Sequence, residues 1–220
     1  MAPLTIDIVS DVVCPWCYLG KRRLENALEK IGASDAVVRW RPFQLDETIP
    51  KQGMDRKDYM RRKFGDLARL GPVHERLLAF GKEVGADYDF EAIARAPNTL
   101  DAHRLIRWAA EADAQDAVVE RLFRAYFEAG QDIGDADVLV GIARDCGMDG
   151  EAVRAKLASE ADVEAAREEM DGWRRAGVTG VPFFIFDGRL AVSGAQTVDV
   201  LASAMVEAMH TRGEAVRHQV

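Results

Sequence analysis

Two regimes of apolar and polar spacing divide the chain. Near the start, Leu4-Thr5-Ile6-Asp7-Ile8-Val9 is an apolar stretch, which predicts a strand over 4–9. Leu19, Leu24, Ala27, Leu28 and Ile31 then recur at helical spacing, predicting a helix over about 14–31. Val37-Val38-Arg39-Trp40-Arg41-Pro42-Phe43 alternates and is rich in strand formers, so the opening segment reads as a βαβ unit.

From about residue 54 to 176 the period becomes helical, most plainly in Val118, Val119, Leu122, Phe123, Tyr126 and Phe127, and strand character is almost absent. Asp135 is placed to cap a helix through Leu139, Val140 and Ile142 that stops at Gly147, and Asp149 to cap the next, ending near Ser159. Strand character returns at Val181-Pro182-Phe183-Phe184-Ile185-Phe186. The turn Asp187-Gly188 and the strand Arg189-Leu190-Ala191-Val192 make that segment a hairpin. Val198, Leu201, Ala202, Met205, Val206 and Met209 predict a closing helix, with a frayed tail from Gly213.

The chain therefore reads as one α/β sheet domain, residues 1–50 and 177–213, split by an α-helical insertion over 51–176, with a flexible tail at 214–220. The sequence contains no internal repeat, low-complexity segment or Gly/Ser linker, which favours an insertion packed on its parent over an independent module. Apolar helical stripes serve cores and interfaces alike, so the oligomeric state is left open.

With 220 residues, 48% of them hydrophobic and 30% charged, the composition is that of a soluble globular protein with ample core. No apolar run approaches the ~20 residues of a membrane helix. The start lacks a basic and then apolar leader pattern, and Asp7 interrupts its only candidate stretch; this predicts a cytoplasmic protein. A net charge of -8 argues against a nucleic-acid partner. Arg56, Lys57, Arg61, Arg62 and Lys63 alternate with Asp55, Asp58 and Asp66 and read as a solvated helix face, with an anionic-ligand patch as the other reading.

Three cysteines are too few for a disulfide scaffold, and in a reducing compartment a Cys-x-x-Cys pair points to catalysis or metal. Cys14-Pro15-Trp16-Cys17 stands where the first strand hands over to the first helix. Unpaired backbone N–H groups at a helix start stabilise a thiolate, which is the nucleophile in thiol–disulfide exchange. Cys14, on the exposed N-cap side, reads as the attacking thiol. Cys17, one turn in, is more buried and resolves the mixed disulfide. Pro15 suits the first helical turn because it lacks an N–H that would go unpaired there. Trp16 brings neither charge nor much polarity, so the couple should be less oxidising than one enclosing a histidine. A zinc site needs two further ligands, and Cys146, His74, His103, His210 and His218 form no close pair at ligand spacing. Cys146 reads as a small buried apolar residue at a helix end.

The order strand, Cys-x-x-Cys, helix, helical insertion and late Gly-Val-Pro before a hairpin resembles the DsbA-like branch of the thioredoxin fold. Ser10-Asp11-Val12-Val13-Cys14-Pro15-Trp16-Cys17-Tyr18-Leu19-Gly20-Lys21, Arg41-Pro42-Phe43-Gln44-Leu45, Asn98-Thr99-Leu100-Asp101-Ala102-His103-Arg104 and Gly180-Val181-Pro182-Phe183-Phe184 look like the FrnE-like group of cytoplasmic DsbA-related oxidoreductases. The resemblance spans nearly the whole chain. It implies a dithiol–disulfide oxidoreductase acting on protein or small-thiol disulfides and needing no cofactor. It also implies a cis Pro182 against the cysteines, with the Val181 backbone free to pair with an extended substrate.

The same superfamily holds kappa-class glutathione transferases and 2-hydroxychromene-2-carboxylate isomerases, which generally carry serine where this chain has Cys14. Two thiols favour redox chemistry and leave glutathione open as a redox partner. Ser193-Gly194-Ala195-Gln196-Thr197 is placed to hold a carboxylate at a helix start, although Gln196 or Thr197 as a plain cap is the simpler reading. Asn98 or Thr99 can cap a helix carrying His103 and Arg104. The resemblance turns that segment toward the cysteines, so Asn98 and His103 join Pro15, Trp16, Val181, Pro182 and Gln196 as substrate-side candidates. The charges themselves favour a surface, salt-linked helix. A glutathione-dependent isomerase or transferase and a non-enzymatic holdase are the rival functions.

Overall fold

Alternation along the first strand decides how the sheet is covered. In β1 (Thr5–Ser10) Ile6 and Ile8 enter the main apolar cluster, whereas Val9 joins Phe43 and Val178 in a smaller one. The same division recurs in β5 (Phe183–Phe186), with Phe184 and Phe186 in the main cluster and Phe183 and Ile185 against the smaller. A period of two thus buries both faces of the sheet.

The structure, a computed structural model, describes residues 2–66 and 70–212. The predicted tail at 214–220 lies outside the described residues. β2 (Val37–Pro42) runs parallel to β1 with Trp40 opposite Ile8, and β5 runs antiparallel with Phe184 opposite the same residue. β6 (Leu190–Ser193) completes a four-stranded sheet of order β2-β1-β5-β6. Asp187 and Gly188, at φ +52° and +65°, make the β5–β6 turn, the left-handed pair that a two-residue hairpin needs. α1 (Pro15–Ile31) links β1 to β2, and α9 (Val198–Thr211) packs along it, its first turn capped by the Thr197 hydroxyl accepting from the Val200 amide.

Between β2 and β5 the described chain is helical apart from a short ladder of β3 (Met54–Asp55) with β4 (Arg95–Ala96). The helices are α2 (Arg56–Phe64), α3 (Gly71–Val84), α4 (Leu100–Glu111), α5 (Gln115–Phe127), α6 (Ala136–Asp145), α7 (Gly150–Leu157) and α8 (Val163–Arg175). The Asp135 and Asp149 carboxylates accept from amides in the first turns of α6 and α7. Leu122, Phe123 and Phe127 of α5 share one apolar cluster with Ile8 of the sheet and with Leu19 and Leu24 of α1. Truncating one such side chain, Leu122→Ala for example, costs about 2–5 kcal/mol. Helical insertion and sheet therefore hold each other in place.

Polar groups reinforce the join. Buried Lys21 of α1 pairs with Glu25 of its own helix and with Asp116 and Glu120 of α5, and Arg22 pairs with Glu120. No helix among the described residues is long and apolar enough to cross a membrane.

Two side chains depart from expectation. Arg56, placed on a solvated face with its basic neighbours, is buried and donates to the Tyr126 hydroxyl, because the β3–β4 ladder turns the start of α2 inward. Arg61, Arg62 and Lys63 do face solvent. Cys146 is half-buried, since it ends α6 at the cluster's edge. Trp40 and Trp108 are core residues, whereas Trp173 is only half-buried against the smaller cluster.

Candidate active site

The strand-to-helix corner is set by backbone hydrogen bonds. The Cys14 amide donates to the Asp11 carbonyl at 3.0 Å, and the Cys17 amide to the Cys14 carbonyl at 2.9 Å. This leaves Cys14 at the N-cap of α1 with φ -89° and ψ 113°, Pro15 at the first helical position and Trp16 at the second. Both thiols are free. The expectation of an exposed Cys14 is corrected: it is 4% exposed and Cys17 1%. Packing of Val12, Tyr18 and the opposite Val181 segment encloses both sulfurs, so the accessible part of the tetrad is the half-buried pair Pro15 and Trp16.

Opposite the tetrad, the Cys14 thiol donates to the Val181 carbonyl at 3.6 Å. The Val181–Pro182 peptide is cis. Gly20 lets α1 approach this segment, since a Cβ there would lie 2.9 Å from Pro182 Cγ and 3.2 Å from Phe184 Cζ. The Gly194 amide donates to the Pro182 carbonyl at 2.8 Å, which ties the loop before α9 to the same wall. Within that loop Gln196 turns its amide onto the Ser193 carbonyl at 2.9 Å, and Arg23 of α1 donates to the Ala195 carbonyl at 2.7 Å. Capping of α9 falls to Thr197.

Burial pushes the Cys17 thiol well above the ordinary thiol range and the adjacent Cys14 adds to the rise, while the Ser10 hydroxyl and Asp11 amide oppose it. Cys17 therefore stays protonated at neutral pH. Tyr18, the next residue, is held protonated by burial and by Glu128, to which it donates at 2.5 Å.

The Asn98–Arg104 segment lies inside the protein, which corrects the surface-helix reading. Thr99 is the N-cap of α4 and makes no side-chain cap bond, while Asn98, one residue earlier, accepts from the Leu100 amide at 3.0 Å; it also accepts from Gln44 and donates to the Ile49 carbonyl, so its side chain is taken up internally. His103 is 2% exposed with Nε2 3.3 Å from a carboxylate oxygen of Asp11, itself 1% exposed. The other Asp11 oxygen accepts from the Leu45 amide at 2.8 Å. Arg104 is equally buried, donating to the carbonyls of Lys156, Ser159 and Ala161 and to Asp101. Neither side chain faces solvent; hydrogen bonds within the protein replace those to water. His103 meets the site from behind, through Asp11.

Three residues outside the expected site also help to build it: Asp11 and Gly20, which stand in the motif around the cysteines, and Tyr88. An aspartate directly after a buried strand and three positions before Cys14 is a visible signal. Tyr88, which donates to the Pro15 carbonyl at 2.7 Å, carried none.

Residues 5–206 match the family described as the DSBA-like thioredoxin domain. The chain is 28% identical to the uncharacterized protein YwbO of Bacillus subtilis (strain 168) over 201 residues, 91% of this chain and 94% of that one. Among solved structures it is similar to the probable DsbA oxidoreductase SCO1869 from Streptomyces coelicolor, at 32% identity and TM-score 0.87, covering 94% of this chain and 90% of that one. A 2-hydroxychromene-2-carboxylate isomerase shares the fold at TM-score 0.69 and 18% identity, over 96% of this chain and 98% of the other. The cytosolic disulfide reductase DsbM from Pseudomonas aeruginosa, solved with GSH, does so at TM-score 0.60 and 18% identity, over 97% and 99%. From the match along nearly its whole length and the arrangement of sheet, helical insertion and corner dithiol, the chain belongs to the family of the DSBA-like thioredoxin domain.

Proposed function

We propose that this protein is a cytoplasmic dithiol–disulfide oxidoreductase working through Cys14 and Cys17. The observation that carries the reading is the juxtaposition of two free thiols at the start of α1 with the Val181 carbonyl 3.6 Å from the Cys14 sulfur. In the reduced protein the Cys14 thiolate attacks a substrate disulfide, joining one substrate sulfur and releasing the other as thiolate. Cys17 then gives up its proton and attacks the Cys14 sulfur. This forms the Cys14–Cys17 disulfide and expels the second substrate thiolate, so two electrons pass to the substrate. The oxidised protein runs the same steps backward with a dithiol. Val181, Pro182, Pro15 and Trp16 make the surface against which an extended substrate lies. A disulfide-bearing or dithiol protein, or a small thiol such as glutathione, is the partner, and no cofactor is required.

The likeness of fold to a 2-hydroxychromene-2-carboxylate isomerase keeps a second reading, in which Cys14 orients the thiol of bound glutathione and Cys17 is dispensable. Replacing Cys17 by Ala separates the two. Under the first reading the variant stops turning over and accumulates its cellular partner as a mixed disulfide on Cys14, which mass spectrometry identifies. Recovery of only unmodified protein after mild oxidation, or undiminished turnover, sinks it.

A further inference from the structure

Tyr88 lies between α3 and β4, in the helical insertion, yet its side chain ends inside the tetrad. A left-handed Gly85, at φ +75°, ends α3, and the Ala86 amide folds back to the Gly81 carbonyl at 2.9 Å. Gly81 leaves room for the ring, since a Cβ there would be 2.9 Å from two Tyr88 ring carbons. The ring is buried, stacked on Phe90 at 5.1 Å and edge-on to Tyr18 and Phe127 at 5.6 and 5.5 Å. From this fixed position the hydroxyl donates to the Pro15 carbonyl at 2.7 Å.

That carbonyl belongs to the same peptide unit as the Trp16 amide. With Cys14 at the N-cap, the amides of Trp16 and Cys17 are the second and third of the helix; the Cys17 amide is taken by the Cys14 carbonyl at 2.9 Å, so the Trp16 amide is the donor that a Cys14 thiolate would use. A donor on one end of a peptide unit polarises the N–H at the other end, and hydrogen bonds in series strengthen one another. Burial, followed by the nearby Tyr18 and cysteine groups, raises the Tyr88 pKa, so the hydroxyl remains a donor across the working pH range.

We propose that Tyr88 is a positioning residue that sets the reduction potential of the Cys14–Cys17 couple. Through the Pro15–Trp16 peptide it sharpens the donor that receives the Cys14 thiolate, and so favours the reduced form. The inference rests on the oxidoreductase reading. The helical insertion, in this view, tunes the dithiol electrostatically as well as covering it.

The test equilibrates parent, Tyr88→Phe and Tyr126→Phe proteins with a glutathione buffer and measures reduced against oxidised protein. Tyr126 is the control: its buried hydroxyl pairs with Arg56 and the Arg95 carbonyl and makes no hydrogen bond to the tetrad. Tyr88→Phe should lower the reduced-to-oxidised ratio about threefold and slow alkylation of Cys14 at fixed pH, while Tyr126→Phe leaves both unchanged. Should Tyr88→Phe fold poorly, site-specific 3-fluorotyrosine at position 88, a stronger donor of nearly the same shape, must raise the ratio. Equal ratios for parent and Tyr88→Phe, or a fluorotyrosine shift in the same direction as Phe, overturn the role of Tyr88 alone. A parent whose thiols do not equilibrate with glutathione overturns the oxidoreductase reading and this inference with it.

Discussion

The Cys14 thiol donates to the Val181 carbonyl at 3.6 Å across a sequence separation of 167, and Gly20 makes that approach possible. A methyl group at Gly20 would press into Pro182 Cγ at 2.9 Å. Gly20→Ala should cost about 1–3 kcal/mol of stability by overpacking and slow exchange with a fluorescent disulfide peptide about tenfold, by moving the Val181 wall. Gly141→Ala is the control: its Cβ would meet nothing within 4 Å in α6, so it should be neutral or stabilising by up to about 1 kcal/mol. Equal peptide turnover by both variants would contradict the role given to Gly20.

Trp16 is half-buried at the mouth of the tetrad and carries no charge. Its replacement by histidine should make the couple more oxidising, because a protonated imidazole stabilises the neighbouring thiolate. The parent should sit well below the strongly oxidising end near ~-120 mV. A parent potential at that end, or a more reducing Trp16→His, would refute the assignment.

Burial holds the Cys17 thiol neutral well above the pH at which an unfolded thiol ionises. Its folded pKa is raised, so the stability it contributes is fully present below the unfolded pKa of about 8.5 and is lost as pH rises beyond it. Reduced protein should therefore hold its denaturation midpoint up to about pH 8 and lose it steadily from there to about pH 10, and Cys17→Ala should flatten part of that slope. The oxidised protein has no thiol there to ionise and should lack this component. Identical slopes in all three forms would exclude Cys17 as the source.

His103 and Asp11 face each other at 3.3 Å with both side chains almost fully buried. A double-mutant cycle using His103→Ala and Asp11→Ala should give a coupling of about 1–3 kcal/mol, with His103→Ala alone costing about 2–4 kcal/mol because it opens a cavity and removes a partner from a buried polar group. A coupling under about 0.5 kcal/mol would mean that the contact adds nothing to stability.

What the sequence disclosed and what it hid follow one physical line. The strands, the helix starts at Asp135 and Asp149 and the place of Cys14 at a helix end are local matters, governed by periodicity, capping and turn chemistry within a few residues. Val181 and Pro182 were found through resemblance, as nothing local connects them to the tetrad. His103, Arg104 and Arg56 read as surface residues because charge ordinarily goes to water. Their burial depends on partners 92, 57 and 70 positions away, at Asp11, Ala161 and Tyr126. Tyr88 was invisible for the same reason, its partner Pro15 being 73 positions earlier.

The distance along the chain between the two walls of the site has a consequence in time. Cys14 and Cys17 leave the ribosome with the first strand and helix, but the carbonyl that Cys14 meets is 167 positions behind. At about 5–20 residues per second, roughly 8–33 s of synthesis separate the dithiol from its opposite wall. For that interval the nascent protein carries both thiols without the segment that closes over them.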